Sequence, residues 1–314
     1  MLTNFKHLKM GSFAGHVLPG SFLIIMGVWW TFNILHRYFV SLYVERERYK
    51  STATFCTTCL PKRFQCTHWE AVLKIILCVV GMVGEMGTAY GNSREGYKFY
   101  YGNVQHTTMF FFFGFAGVFD LIQYHGAALP VNTDYMMMFT AFCVEGLLFY
   151  FHLDGRPDVD VHLHRLLIIA IGGCAVSTLF EIKTKTNVLL SLSRSCFVIL
   201  QGTWFYQIAF VLYSPMSNYN WILMKSGTMT KIESERFHDQ ILFITCLFTW
   251  HAGAILMCIM FVSCAFKAFF KCTRRQGQNG RLDAIRLIKT DSNGQRFISF
   301  PTGEDQNTSG SDID

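Results

Sequence analysis

Apolar residues gather in long runs along this chain. Runs of about 20 residues, the length that crosses about 30 Å of hydrocarbon as a helix, recur at 17–40, 70–90, 104–124, 133–153, 163–182, 190–213 and 241–266. Seven such segments predict an all-α fold, a seven-helix transmembrane bundle over 17–266. A short N-terminal segment, 1–16, precedes it, and a tail, 267–314, follows, polar and acidic enough at its end to stay disordered.

Composition agrees with the pattern. Of 314 residues 51% are hydrophobic and 15% charged, against about a quarter charged in ordinary soluble domains. The opening "MLTNFKHLKMGSFAGH" has lysines but no apolar core, so the first helix is expected to act as an uncleaved anchor. The net charge of +6 is unevenly spread. Loop 41–69 carries Arg46, Arg48, Lys50, Lys62 and Arg63, and the tail carries Lys267, Lys271, Arg274, Arg275, Arg281, Arg286, Lys289 and Arg296. The positive-inside rule then predicts an exoplasmic or luminal N-terminus and a cytoplasmic C-terminus. The basic excess is a topology and membrane-surface signal, not a nucleic-acid footprint. None of the eleven cysteines falls in 1–16, 91–103, 154–161 or 214–240, the segments placed outside, so no disulfide is expected.

Ionisable groups at bilayer depth are costly and mark candidate sites. Helix 2 places Gly81, Gly84, Glu85 and Thr88 on one face. Helix 3 opens with His106 and carries Asp120 on the same face, about 21 Å further along. Helix 4 carries Glu145 and His152, an i, i+7 pair about 10 Å apart along the axis. His162 and His164 open helix 5 and point nearly opposite ways, so one of them at most faces the bundle. His16 stands at the mouth of helix 1, just before Pro19, and His251 lies within helix 7.

Under the expected topology His16, Glu85, His106, Glu145, His152, His164 and His251 all fall in the outer half, from six helices. Neutral imidazoles with a carboxylate suit zinc in an open site. The expected ligands are therefore His106, His152, His164 and His251, with His16, Glu85, Asp120 and Glu145 as supporting polar groups. The same residues serve equally as a proton or ligand pathway, or as a hydrogen-bonded core without chemistry. In the loop after helix 1, Cys56, Cys59, Cys66 and His68 form a C-x2-C-x6-C-x-H spacing. That spacing reads as a zinc site, as acylated juxtamembrane cysteines, or as plain thiols.

The blocks "GHVLPGSFLIIMGVWW", "TTMFFFFGFAGVFDLI", "FCVEGLLFYFHLDGR", "LQGTWFYQIAFVLYSP" and "TWHAGA" together resemble the transmembrane protein 45 family over about 10–265. The resemblance implies a seven-helix bundle in endomembranes or plasma membrane, with motif histidines at His16, His106, His152, His164 and His251. It implies no catalytic assignment.

Three function classes follow. One is a zinc-dependent lipid hydrolase, similar in outline to alkaline ceramidases and adiponectin receptors. Those carry paired histidines four apart in the last helix, whereas Ile255 stands four after His251 here, and no HExxH occurs. A second is a receptor, for which no DRY-like or NPxxY-like segment is present. A third is a non-catalytic scaffold or trafficking protein. The expected partners are the bilayer, a lipid in the bundle and a second copy of the chain, with no nucleic acid.

Overall fold

The computed structural model describes residues 12–45, 47–55, 68–91, 101–213, 231–286, 288–290 and 296–298. Seven helices are long and apolar enough to cross a membrane. They are α1 (Phe13–Val40), α2 (Trp69–Gly91), α3 (Tyr101–Tyr124), α4 (Thr133–Phe151), α5 (Asp158–Lys183), α6 (Val188–Tyr213) and α7 (Lys231–Arg286). The protein is an all-α, multi-pass bundle, as the hydropathy predicts.

Three helices run beyond their expected bounds, each for a local reason. Helix α1 begins a turn earlier than expected because Ser12 caps it: the Gly15 N–H donates to Ser12 Oγ at 3.0 Å. Pro19 is therefore in the helix interior and not in the first turn, and a membrane helix tolerates the missing N–H there. Helix α5 begins at Asp158, with Pro157 at its N-cap and Asp158 and Asp160 in the first turn, where the helix dipole favours acidic groups. Helix α7 extends past both ends of the predicted 241–266, through charged helix formers that hydropathy alone passes over. Segment 214–230 and the acidic end of the chain lie outside the described residues.

The chain divides into two units, Met1–Ser263 and Cys264–Asp314. The second holds the last part of α7 and an antiparallel pair of three-residue strands, β1 (Ile288–Thr290) and β2 (Arg296–Ile298), with Lys289 opposite Phe297.

In the first unit α1 packs on α6, α6 on α5, α5 on α4, α4 on α3 and α3 on α2. The ring closes only loosely between α2 and α1, which approach each other at few points. Its tightest contact is between α1 and α6. A Cβ on Gly20 would sit 2.9 Å from the Gly202 carbonyl oxygen, and one on Gly202 would sit 2.8 Å from that of Gly20. Small residues bring membrane helices this close. Ile34, Leu163, Leu167, Ile171, Trp204 and Ile208 form the dry centre. Helix α7 packs on this ring through side chains, with Ile244 in the central cluster and Ile255 and Ile259 against Ala170, Cys196 and Leu200. Val83, Ile169 and Phe261 point outward, as side chains facing lipid do.

Candidate functional site: a histidine row above an apolar cavity

The N-terminal ends of α1, α3 and α5 meet the C-terminal ends of α2, α4 and α6, and four of the predicted histidines gather there. The rings of His16 and His164 are 5.8 Å apart, those of His164 and His152 6.4 Å, and those of His152 and His106 5.1 Å. Phe149 stacks along the row, 6.0 Å from His164 and 6.5 Å from His106.

Partners that can only accept fix the tautomers. His16 Nδ1–H donates to the Ser12 carbonyl at 3.0 Å. His164 Nδ1–H donates to the Asp160 carbonyl at 2.9 Å and faces that residue's carboxylate at 2.7 Å. His106 Nδ1 faces Glu85 at 3.3 Å. His152 Nδ1–H donates to Gln105 Oε1 at 2.6 Å, and its Nε2 accepts from Arg156.

Arg156 is buried and grips Asp160 through one nitrogen, at 3.0 and 3.2 Å, while its Nε donates to the His152 carbonyl at 3.0 Å. The tight turn between α4 and α5 makes this contact possible, since Gly155 supplies the positive φ of 80°. Burial first, and then the Arg156 guanidinium, hold His152 below the ordinary imidazole range. His152 therefore stays neutral in neutral solution. Glu85 is fixed in turn by Asn103, whose Nδ2 donates to it at 2.7 Å.

Beneath the row lies a cavity of about 110 Å3 enclosed by α1, α2, α3, α4 and α6. Phe22, Met26, Phe110, Phe113, Phe142 and Phe205 make it apolar. His16, Glu85 and His106 line one end and Lys74 the other, eleven residues along α2 from Glu85, or about 16 Å of rise. Glu145 stands in the wall between them, 4% exposed. One of its carboxyl oxygens accepts from Gln201 Nε2 at 2.5 Å, and the other has no hydrogen-bond partner among the described residues. Gln201 is held by the Cys174 thiol, 3.6 Å away.

Residues 132–265 match the model of a family of unknown function, DUF716. That span contains Glu145, His152, His164, Gln201 and His251, whereas His16, Glu85 and His106 precede it. The chain is 22% identical over 258 residues to transmembrane epididymal protein 1A of Mus musculus, covering 80% of this chain and 79% of that protein. It is 21% identical to transmembrane epididymal protein 1 of Rattus norvegicus, covering 84% of each. The human protein named transmembrane epididymal protein 1 is 24% identical over 47% of this chain and 50% of its own length. Together with the seven apolar helices, these likenesses make the chain an integral membrane protein.

The remaining predicted residues stand elsewhere. His251 is half-buried and its ring meets Trp204, 5.6 Å away, so the structure does not bring it to the row. His162, half-buried, bonds Thr245 of α7 at 2.9 Å, while His164 is 1% exposed: one of the two faces the bundle, as expected. Gly84, expected on the same face of α2 as Gly81 and Glu85, is exposed, and a Cβ there would meet no other described residue within 4 Å.

Asp120 lies at the opposite end of the bundle, 2.6 Å from the Lys74 ammonium. His68 caps α2 there: its Nδ1 accepts from the Ala71 N–H at 3.3 Å, so Nε2–H donates to Thr54. Cys56, Cys59 and Cys66 lie outside the described residues. Among the described residues no three His, Cys, Asp or Glu side chains stand as a ligand set for a metal ion.

The hydropathy reading missed a second polar layer at this opposite end. Arg194 and Glu181 are fully buried and paired at 2.8 Å. Ser191 donates to the same carboxylate at 2.8 Å and Tyr135 at 3.2 Å. Arg194 also holds the carbonyls of Thr52 and Ala53 and lies over the Trp30 ring. Segment 47–55 is thereby tucked into the bundle. One signal was visible in the sequence: a charged residue three places after Ser191 at the start of an otherwise apolar helix.

Proposed function

We propose that the protein binds an apolar ligand taken from the bilayer, in the cavity beneath the histidine row. The observation that carries this reading is the cavity itself, apolar on most of its wall and edged by a few convergent polar groups, the usual make-up of a small-molecule site. Its volume is about 110 Å3, on the scale of the roughly 150 Å3 engineered cavities that take up benzene. The loose α1–α2 seam gives such a ligand a sideways route in. Leu77 lines the cavity from α2 and is half-buried. Leu77→Trp should fill the space, and co-purifying amphiphile measured by mass spectrometry in nanodiscs should fall several-fold. Unchanged content in a folded variant would sink the reading.

A second reading, a zinc-dependent lipid hydrolase, is favoured by one observation. His16, His106 and His164 each engage an oxygen through Nδ1 and leave Nε2 as a lone-pair donor, the arrangement in which second-shell oxygens orient zinc histidines. Elemental analysis decides it: about one equivalent of zinc, lost in His106→Ala, supports a metal site, and none refers the row to hydrogen bonding. The same reading places the histidine end on the exoplasmic side, in endomembranes or plasma membrane, from the basic residues of loop 41–69 and the tail. It keeps the transmembrane protein 45 resemblance as the finer family placement.

A further inference from the structure

The oxygen of Glu145 that nothing meets is the feature least explained by packing. Glu145 is buried, lines the cavity, and has among the described residues one partner only, the neutral amide of Gln201. A buried acceptor left without a donor is costly, and the cost is greater for a charged group. Position 145 would hold an apolar residue at no such cost if the cavity served packing alone.

The groups facing the cavity say which donor would suit it. Lys74, the cation on its wall, is already committed to Asp120 at 2.6 Å. Glu85 is shared between Asn103 and the ring of His106. No cation of the described residues pairs with Glu145. Phe113, Phe142 and Phe149 line the same cavity, and the faces of aromatic rings attract a desolvated ammonium. A carboxyl oxygen without a donor, in a cavity lined by aromatic rings, is complementary to a positively charged amine carried on an apolar body.

Resting on the proposed cavity-binding function, we infer that this cavity selects apolar ligands that carry a protonated amine, and that Glu145 is the residue that receives the amine. A hydroxyl of the same shape satisfies the oxygen without its charge and binds less well. A ligand with no donor strands the oxygen.

The test uses three probes of one shape, benzylamine, benzyl alcohol and toluene, with the full chain in phosphatidylcholine nanodiscs. Binding is read as the rise in unfolding temperature with ligand concentration. Benzylamine should bind the unaltered protein about tenfold or more tightly than toluene, the factor that one charge-assisted hydrogen bond supplies. In Glu145→Gln the preference for benzylamine over benzyl alcohol should disappear.

Equal binding of the three probes to the unaltered protein overturns the inference, as does an amine preference that survives in Glu145→Gln. If Glu145→Gln does not fold, the comparison in the unaltered protein decides. Toluene binding that disappears in Leu77→Trp, with no preference for the amine, leaves the cavity reading standing and removes the inference alone. No shift with any probe removes both.

Discussion

Glu70, two residues into α2, accepts three N–H groups: the indoles of Trp29 and Trp30 at 2.9 and 2.8 Å and the Phe55 backbone at 2.8 Å. In the sequence the two tryptophans sit at mid-helix, away from the interfacial belt where tryptophan is enriched. The structure gives the reason: their donors reach a buried carboxylate on the next helix. The same logic governs Arg194 and Glu181, with consequences for stability. Breaking a fully buried pair by removing one partner costs about 3–5 kcal/mol. Arg194→Leu should therefore lower the unfolding temperature in nanodiscs by many degrees. The double variant Glu181→Leu, Arg194→Leu should recover part of that loss. It cannot recover all, because the carbonyls of Thr52 and Ala53 lose their donor. Which residues were polar at depth was legible in the sequence. Which met which was not, since Lys74 with Asp120 and Glu70 with Trp30 join residues 46 and 40 positions apart. The His152, Arg156, Asp160 and His164 chain, spaced four residues apart, could have been read from spacing.

Between helices, the sharpest constraint is at Gly20 and Gly202, where each would place a Cβ under 3.0 Å from the other's carbonyl. Backbone cannot yield as a side chain does. Gly202→Ala should push α1 from α6 and cost about 1–3 kcal/mol, the usual penalty of overpacking. Gly84→Ala meets nothing within 4 Å and should be neutral or slightly stabilising, since alanine is the better helix former. Thermal unfolding of the two variants side by side separates close packing from glycine's general flexibility. The helices were visible as apolar runs, and their centres fell where predicted. Their ends were set by Ser12, by Pro157 with its two aspartates, and by the charged helix formers of α7, signals that hydropathy averages away.

At the scale of the molecule, α1, α2, α3, α4 and α6 line the cavity, and no residue of α5 or α7 reaches it among the described residues. The proposed orientation in the membrane rests on the basic residues of loop 41–69 and the tail. A C-terminal epitope tag should be reached by antibody only in permeabilised cells, and staining of intact cells would invert the proposed topology. The loose contact between α1 and α2 bears on how binding is measured. A ligand that enters there comes from among the acyl chains, where its concentration is a mole fraction of lipid. Occupancy then tracks the ligand-to-lipid ratio, and diluting the sample in buffer at constant lipid composition leaves a lipid-partitioned ligand bound. Adding empty vesicles strips it instead, because they offer the ligand more lipid in which to partition.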